Sequence, residues 1–69
     1  MESAKRLEME IRSPDGDMKW VLAIPRRVWF GPHPLYSGET WFLEMLDLDL
    51  GQERSVRLVD VFAIRPGER

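Results

Sequence analysis

The sequence predicts an all-β domain, a small SH3-like or Sm-like barrel of five to six short strands. Three observations predict it. Apolar and polar residues alternate at period two over most of the chain. Clusters of Gly, Pro, Asp and Ser interrupt that alternation at short intervals. Finally, five or six strands in 69 residues would leave open edges in a flat sheet, and curling largely removes them.

Leu7, Met9 and Ile11 alternate with Glu8, Glu10 and Arg12, the pattern of a strand with one wet face. Ser13-Pro14-Asp15-Gly16-Asp17 supplies turn chemistry, since Pro presets φ and Gly accepts φ > 0. Met18, Trp20, Leu22 and Ile24 then alternate with Lys19, Val21 and Ala23, completing a hairpin. Pro25, which can donate no ladder hydrogen bond, is expected to interrupt the strand. Arg26 to Phe30 reads as a third, short strand with Val28 and Phe30 on one face and Arg27 and Trp29 on the other. The segment from Gly31 to Gly38 holds two prolines and two glycines and is expected to be irregular.

Trp41 to Leu48 contains good helix formers ahead of Gly51, yet Trp41 and Phe42 favour a strand, and Asp49-Leu50-Gly51-Gln52 fits a hairpin connection. The extended reading pairs this segment with Arg54, Val56 and Leu58 beyond the turn. A last strand around Val61 to Ile64 ends at Pro66-Gly67. The whole chain reads as one domain, residues 1–69, with short polar tails at 1–4 and 66–69.

Composition narrows the function. Ten basic residues against twelve acidic ones give a net charge of −2, which argues against a domain that coats DNA non-specifically but leaves room for a local basic pocket. With no cysteine there is no disulfide and no thiolate, and with a single histidine a zinc site is nearly excluded. No apolar run approaches the roughly 20 residues that span a bilayer, and Met1 to Arg6 lead into alternation rather than into the apolar block of a signal peptide. A soluble, cytoplasmic protein is expected, with no membrane association. A domain of this size buries only about 60% of its unfolded surface, so self-association into a homo-oligomer is expected as well.

The candidate binding groups are arginines and aromatics. Arg26, Arg27, Arg54 and Arg57 offer guanidinium forks that match phosphate and stack on bases; the bland alternative is strand charges paired with Glu44, Asp47 or Glu53 across the sheet. Among the aromatics, Trp20, Phe30 and Phe62 are expected in the core, while Trp29 and Tyr36 are better placed for a ligand or a subunit interface. His33, between two prolines, is a loop residue that could add a donor to a ligand. Asp47-Leu48-Asp49-Leu50-Gly51 brushes against a calcium loop, but counting from Asp47 the sixth and twelfth positions are Gln52 and Leu58, so it reads as a turn. Ser37 with His33 lacks a third member and an oxyanion donor pattern, and no catalytic residues, metal or cofactor are expected.

Trp41-Phe42-Leu43 resembles the Trp-Tyr-Leu signature of the WYL domain, and its surroundings are similar too. Upstream lies a hairpin closing on a Pro-led strand, Ile24-Pro25-Arg26-Arg27-Val28. Downstream come an acidic turn (Asp47, Asp49, Gly51) and Arg54-Ser55-Val56-Arg57-Leu58-Val59-Asp60-Val61, which resembles the family's Arg-x-Phe-Arg-x-x-x-Ile. The likeness covers roughly Leu7 to Ile64. It implies an SH3-like barrel that senses a nucleotide or nucleic-acid ligand, with Arg54 and Arg57 at the family's basic positions. Phe42 in the Tyr place, Val56 for an aromatic and Arg26 for an aliphatic residue depart from the pattern, and there is no room for the helix-turn-helix that accompanies the domain in bacterial regulators.

Together these readings predict a non-enzymatic domain for a nucleotide or short nucleic-acid ligand. Arg27, Arg54 and Arg57 would neutralise phosphate, Trp29, Tyr36 and Trp41 would offer stacking surfaces, and His33 would add a donor. A free-standing binder of this kind would act by sequestration, as some phage proteins do when they hold a signalling nucleotide away from a bacterial defence receptor. The competing expectation is a protein–protein adaptor or inhibitor that presents its proline-rich loop and an open strand edge to a protein partner.

Overall fold

The computed structural model describes residues 5–67. The expectations for Met1–Ala4 and for Glu68 and Arg69 lie outside the described residues. The fold is all-β: β1 (Leu7–Arg12), β2 (Met18–His33), β3 (Tyr36–Asp47), β4 (Gln52–Arg57), a 3₁₀ turn (Leu58–Asp60) and β5 (Val61–Pro66). The strands are antiparallel and form one sheet in the order β4-β3-β2-β1-β5. Among the described residues no helix is long and apolar enough to cross a membrane.

Several of the expected boundaries change, among them the end of β4, which stops at Arg57 so that Leu58 opens the 3₁₀ turn. Pro25 does not end a strand, because β2 runs unbroken for 16 residues. The pairing with β1 stops at Ala23, so Pro25 lies beyond the end of that neighbour, where no ladder bond is asked of its nitrogen on the β1 side. On the β3 side the register shifts between Pro25 and Arg27, a bulge at Arg26. The segment expected to be irregular is also mostly strand: β2 reaches His33 and β3 resumes at Tyr36, leaving Pro34 and Leu35 as the turn. Prolines are tolerated there because the β2–β3 arm has outrun β1, and the register shifts again at Pro32/His33. The third short strand is therefore the far half of β2. At the chain's end, Pro66 closes β5 and the Gly67 N–H donates to the Arg6 carbonyl (2.9 Å), so neither belongs to a loose tail.

β2 organises the molecule. Its first half pairs with β1 and its second half with β3, and the two partners overlap only at Ala23. The sheet curls about this strand, bringing Met9, Ile11, Val21 and Ala23 together with Met45 and Val56 in one buried cluster, with Leu7, Leu43 and Val61 packed against it. Curling stops short of closure, because β4 and β5 remain the two edges of the sheet and are joined through the 3₁₀ turn. The expected barrel is thus an open one.

The turns follow the local chemistry. In the β1–β2 turn Gly16 has φ 94° and donates to the Ser13 carbonyl. Ser13 Oγ donates to the Asp15 carboxylate, which also accepts the Asp17 N–H; these bonds hold the Asp15 carboxyl below the ordinary aspartate range. In the β3–β4 turn Gly51 takes φ 73°, and Asp47 Oδ1 accepts the N–H groups of Asp49 (2.9 Å) and Leu50 (3.1 Å). The acidic turn is therefore a capped hairpin connection. Among the described residues no three His, Asp or Glu side chains cluster to hold a metal ion.

Three expected core residues are not in the core. Trp20 is 37%, Phe30 53% and Phe62 51% exposed. For Trp20 the reason lies in β2's inward parity, whereas Phe30 lies on the arm beyond the reach of β1. Met9 stands opposite Val21 and Leu7 opposite Ala23, so the small residues of β2 face inward while Trp20 sits opposite Glu10 on the other face. There the Arg65 guanidinium lies 4.0 Å from the Trp20 ring centre and pairs with Glu8 at 2.9 Å. Phe62 packs under Arg12 in the same manner, at 5.2 Å.

Candidate functional site

The face of β2 and β3 opposite the core carries a second buried group, built on Phe42. Phe42 is fully buried, yet it is not part of the core cluster. Antiparallel register puts Trp29 directly across from it, and their rings stack at 4.6 Å with 19° between planes. His33 and Tyr36, paired at the β2–β3 turn, lie 5.2 and 5.9 Å from the Phe42 ring and 5.6 Å from each other. On β4, Arg57 is opposite Phe42, and its guanidinium lies 4.2 Å from the centre of the Tyr36 ring.

Arg57 is held there by Asp60, which accepts from Nε (2.7 Å) and Nη2 (3.3 Å). Asp60 is completely buried and also accepts from Arg12 Nε at 3.0 Å. Two guanidiniums thus share one carboxylate, tying the end of β1, the end of β4 and the 3₁₀ turn together. The bond to Asp60 raises the Arg57 pKa above the ordinary guanidinium value, so this group stays charged at any working pH.

Beside the aromatic group lies a cavity of about 280 Å³. Its wall comes from three places: Ser13 and Pro14 of the β1–β2 turn, His33 and Tyr36 at the β2–β3 turn, and Arg54 and Ser55 of β4. Residues so distant in sequence meet because the curl carries the first turn around to the open β4 edge. Arg54 Nε lies 3.2 Å from Asp47 Oδ2, close enough for ion pairing. Even so, Nε and Nη2 of Arg54 are buried without a hydrogen-bond acceptor among the described residues. Such orphaned donors are uncommon in native folds.

Two further wall groups keep a donor, while Glu53, also in the wall, offers only acceptors. His33 Nδ1 accepts the Leu35 N–H at 3.1 Å, which assigns the neutral ring's own proton to Nε2. Ser55 Oγ accepts from Trp29 Nε1 at 3.2 Å, leaving its hydroxyl hydrogen to be given elsewhere.

Of the residues singled out by sequence, Trp29, His33, Tyr36 and Arg57 meet in the aromatic group, and His33, Tyr36 and Arg54 meet in the cavity. Trp41 does not join them. It faces the other side of β3, where it meets Phe30 edge-on at 5.3 Å, and it is 51% exposed. Arg27 shares the Trp29 face but is bound to Glu44 at 2.9 Å with a largely exposed side chain. Arg26 pairs with Glu53 at 3.4 Å. Glu44, Asp47 and Glu53 are thus real partners, of Arg27, Arg54 and Arg26 in turn. Sequence reasoning missed the central place of Phe42, the bridging Asp60 with Arg12, and the hydroxyls of Ser13 and Ser55. For Phe42 a signal existed, since an antiparallel arm aligned about Pro34-Leu35 puts it on the Trp29 face.

No family model, curated protein or solved structure matches this chain. The likeness to WYL domains stands on the residue pattern alone.

Proposed function

We propose that this chain is a non-enzymatic binder of a small anionic ligand with an aromatic base, a nucleotide or a short nucleic-acid fragment. One observation carries the reading: the cavity gathers Arg54, His33, Tyr36 and Ser55 into one wall, with Glu53 as its acidic member. A phosphate accepts from guanidinium, imidazole N–H and hydroxyl groups of this kind, and the rings beside the cavity offer stacking surface. Held in this way, a nucleotide would be kept from its receptor, and a cytoplasmic setting follows from where such ligands are found.

Thermal melts against mono-, di- and cyclic nucleotides test the proposal. A true ligand at a hundredfold above Kd stabilises the native state by about 2.7 kcal/mol, roughly 10–20 °C in Tm for a domain of this size. Arg54→Gln should remove most of that shift. A panel without any shift would sink the reading.

A second reading, protein contact, is favoured by a different face. Val28, Phe30 and Trp41 lie on one side of the β2–β3 arm and are each about half exposed. They extend the parity of core residues Leu43 and Met45 beyond the region that β1 covers. Apolar strips of this kind mark association surfaces, and a second copy of the chain is the simplest occupant. Sedimentation of the protein should then show a dimer that the double variant Phe30→Ser/Trp41→Ser converts to monomer with its β-sheet circular dichroism intact. A monomeric parent at high micromolar concentration would exclude self-association.

A further inference from the structure

Past Ala23, β2 has no strand beside it on the β1 side among the described residues, so Ile24 to His33 present an open edge there. Two hydrogen bonds near the base of the arm fix which backbone groups point out of that edge. The Gly51 N–H donates to the Asp47 carbonyl at 2.7 Å, which turns Asp47 toward β4. The Leu48 N–H donates to the Leu22 carbonyl at 2.9 Å, which turns Leu22 toward β3. Backbone groups alternate sides along a strand, so Met45, Leu43 and Trp41 turn toward β4 as Asp47 does. Their partners on β2, namely Pro25, Val28 and Phe30, therefore point their own backbone groups outward, and Pro32 opposite Glu39 continues the series.

Two of these four, Pro25 and Pro32, have no N–H to give. In the regularly paired part of the arm, the open edge thus offers donors at Val28 and Phe30. A proline and the bulge at Arg26 lie on one side of them and a proline on the other. Prolines and bulges are devices that limit pairing along a sheet edge. Here they leave a short window open in the middle.

That window is self-complementary. About a two-fold axis at Trp29, Val28 faces Phe30 of a second copy, Phe30 faces its Val28, and each pair exchanges both backbone bonds. Sliding by two residues either way keeps one such pair and sets Pro32 or the bulged Arg26 against the remaining residue. In the favoured register Pro34, at the tip of the second copy's arm, falls opposite Ile24, next to the Ala23 position where β1 begins. The added strand fills the length that β1 leaves uncovered.

Side chains agree with this register. Val28 and Phe30 are each about half exposed, and an aromatic ring across from a β-branched residue is a favourable cross-strand pair. Trp41 pairs with Phe30 and Leu43 with Val28, so these apolar rows run into each other across the axis. Arg27 comes opposite Gly31 of the second copy and is already held by Glu44, as Arg26 is by Glu53, so no like charges meet. The Trp29 ring is drawn over β3 onto Phe42, with its Nε1 on Ser55 of β4, which leaves the edge clear.

We infer that two copies of this chain join edge to edge through the Val28–Phe30 segments of β2, antiparallel and two-fold, in one sheet that runs through both. The inference rests on the self-association reading and adds its mode, a backbone ladder between strand edges where that reading asks only for contact between apolar faces.

Val28→Pro tests the ladder, because the Val28 N–H points out of the edge and is not used by β3. The variant keeps an apolar side chain and deletes one backbone bond per copy. Sedimentation should show a dimer for the parent, a dimer about tenfold or more weaker for Val28→Pro, and an unchanged one for Val28→Ile.

If Val28→Pro loses its β-sheet circular dichroism, cysteine pairing decides instead. The chain has no cysteine of its own, so Val28→Cys and Phe30→Cys each carry a single thiol. In the inferred register these two positions face each other at about 5.5 Å between Cα atoms, within disulfide reach. Each lies about 7–8 Å from its own counterpart across the axis, which is beyond that reach. An oxidised mixture of the two variants should give several-fold more covalent dimer than either alone. Equal dimerisation of the parent and a folded Val28→Pro, or no excess of the mixed disulfide, overturns edge pairing and leaves association through the apolar face standing. A parent that stays monomeric at high micromolar concentration overturns both.

Discussion

Phe42→Ala is expected to destabilise the protein by about 3–5 kcal/mol, the usual range for truncating a buried phenylalanine. Phe42 is fully buried and touches the rings of Trp29, His33 and Tyr36, so its removal leaves three partners around one void. A domain of this length has a total stability of roughly 3–10 kcal/mol. The variant should therefore be largely unfolded at 37 °C, or melt at least 15 °C or so below the parent. Phe42→Leu, which keeps most of the volume, should restore the greater part. The check is a urea or thermal melt followed by tryptophan fluorescence, to which Trp29, stacked on Phe42, contributes together with Trp20 and Trp41. A loss under about 1 kcal/mol would mean that this face is not a packed second core.

Asp60→Ala is the other large effect. Removing one member of a buried ionic cluster commonly costs about 3–5 kcal/mol, because the remaining charge loses its partner in a place water reaches poorly. Here Arg12 and Arg57 have side chains 42% and 32% exposed, so both can turn to solvent, and about 2–3 kcal/mol is the expected loss. Asp60→Asn keeps the shape and one acceptor oxygen but not the charge, and should fall between the parent and the alanine variant. A double-mutant cycle with Arg12→Met distinguishes this from simple packing, since the two substitutions should be clearly non-additive. Additivity within about 0.3 kcal/mol would show that Arg12 and Asp60 are not coupled. The cluster also orients Arg57 over Tyr36, so Asp60 variants that remain folded should bind the proposed nucleotide more weakly even though Asp60 is not in the cavity wall.

The sequence alone was enough to place most of the strands. Leu7 to Arg12 and Met18 to Ile24 alternate strictly, and Asp15-Gly16 can do little but turn; these are properties of a few neighbouring residues, so they are legible without the fold. Likewise Trp41 to Asp47 is extended because bulky rings and a capped acidic turn outweigh the helix formers between them. The observed strand order β4-β3-β2-β1-β5, with a 3₁₀ turn bringing β5 beside β1, is all-β as expected, though open. The span of β2 was not legible. Pro25 breaks a strand only where its nitrogen is asked to donate, and whether it is asked depends on how far β1 extends beside it.

The candidate site was legible in its ingredients and not in its assembly. Arg54, His33, Tyr36 and Trp29 could be picked by type, but nothing local separates Trp41 from them; one residue of strand parity puts it on the opposite face from Phe42.

Alternation in β2 and β3 showed that these strands have two faces. Both faces carry apolar residues, so period two alone could not say which of them the core would claim. Register decided it, with Met9 against Val21 and Leu43 against Val56 turning one face inward and leaving Phe42, Trp29 and Tyr36 to form their own cluster on the other. The partners of the arginines were settled the same way, across 48 residues of sequence for Arg12 and Asp60 and 57 for Arg65 and Glu8. Local sequence sets backbone conformation because φ and ψ answer to near neighbours, whereas a site is made by groups that only the curl of the sheet brings within hydrogen-bonding distance.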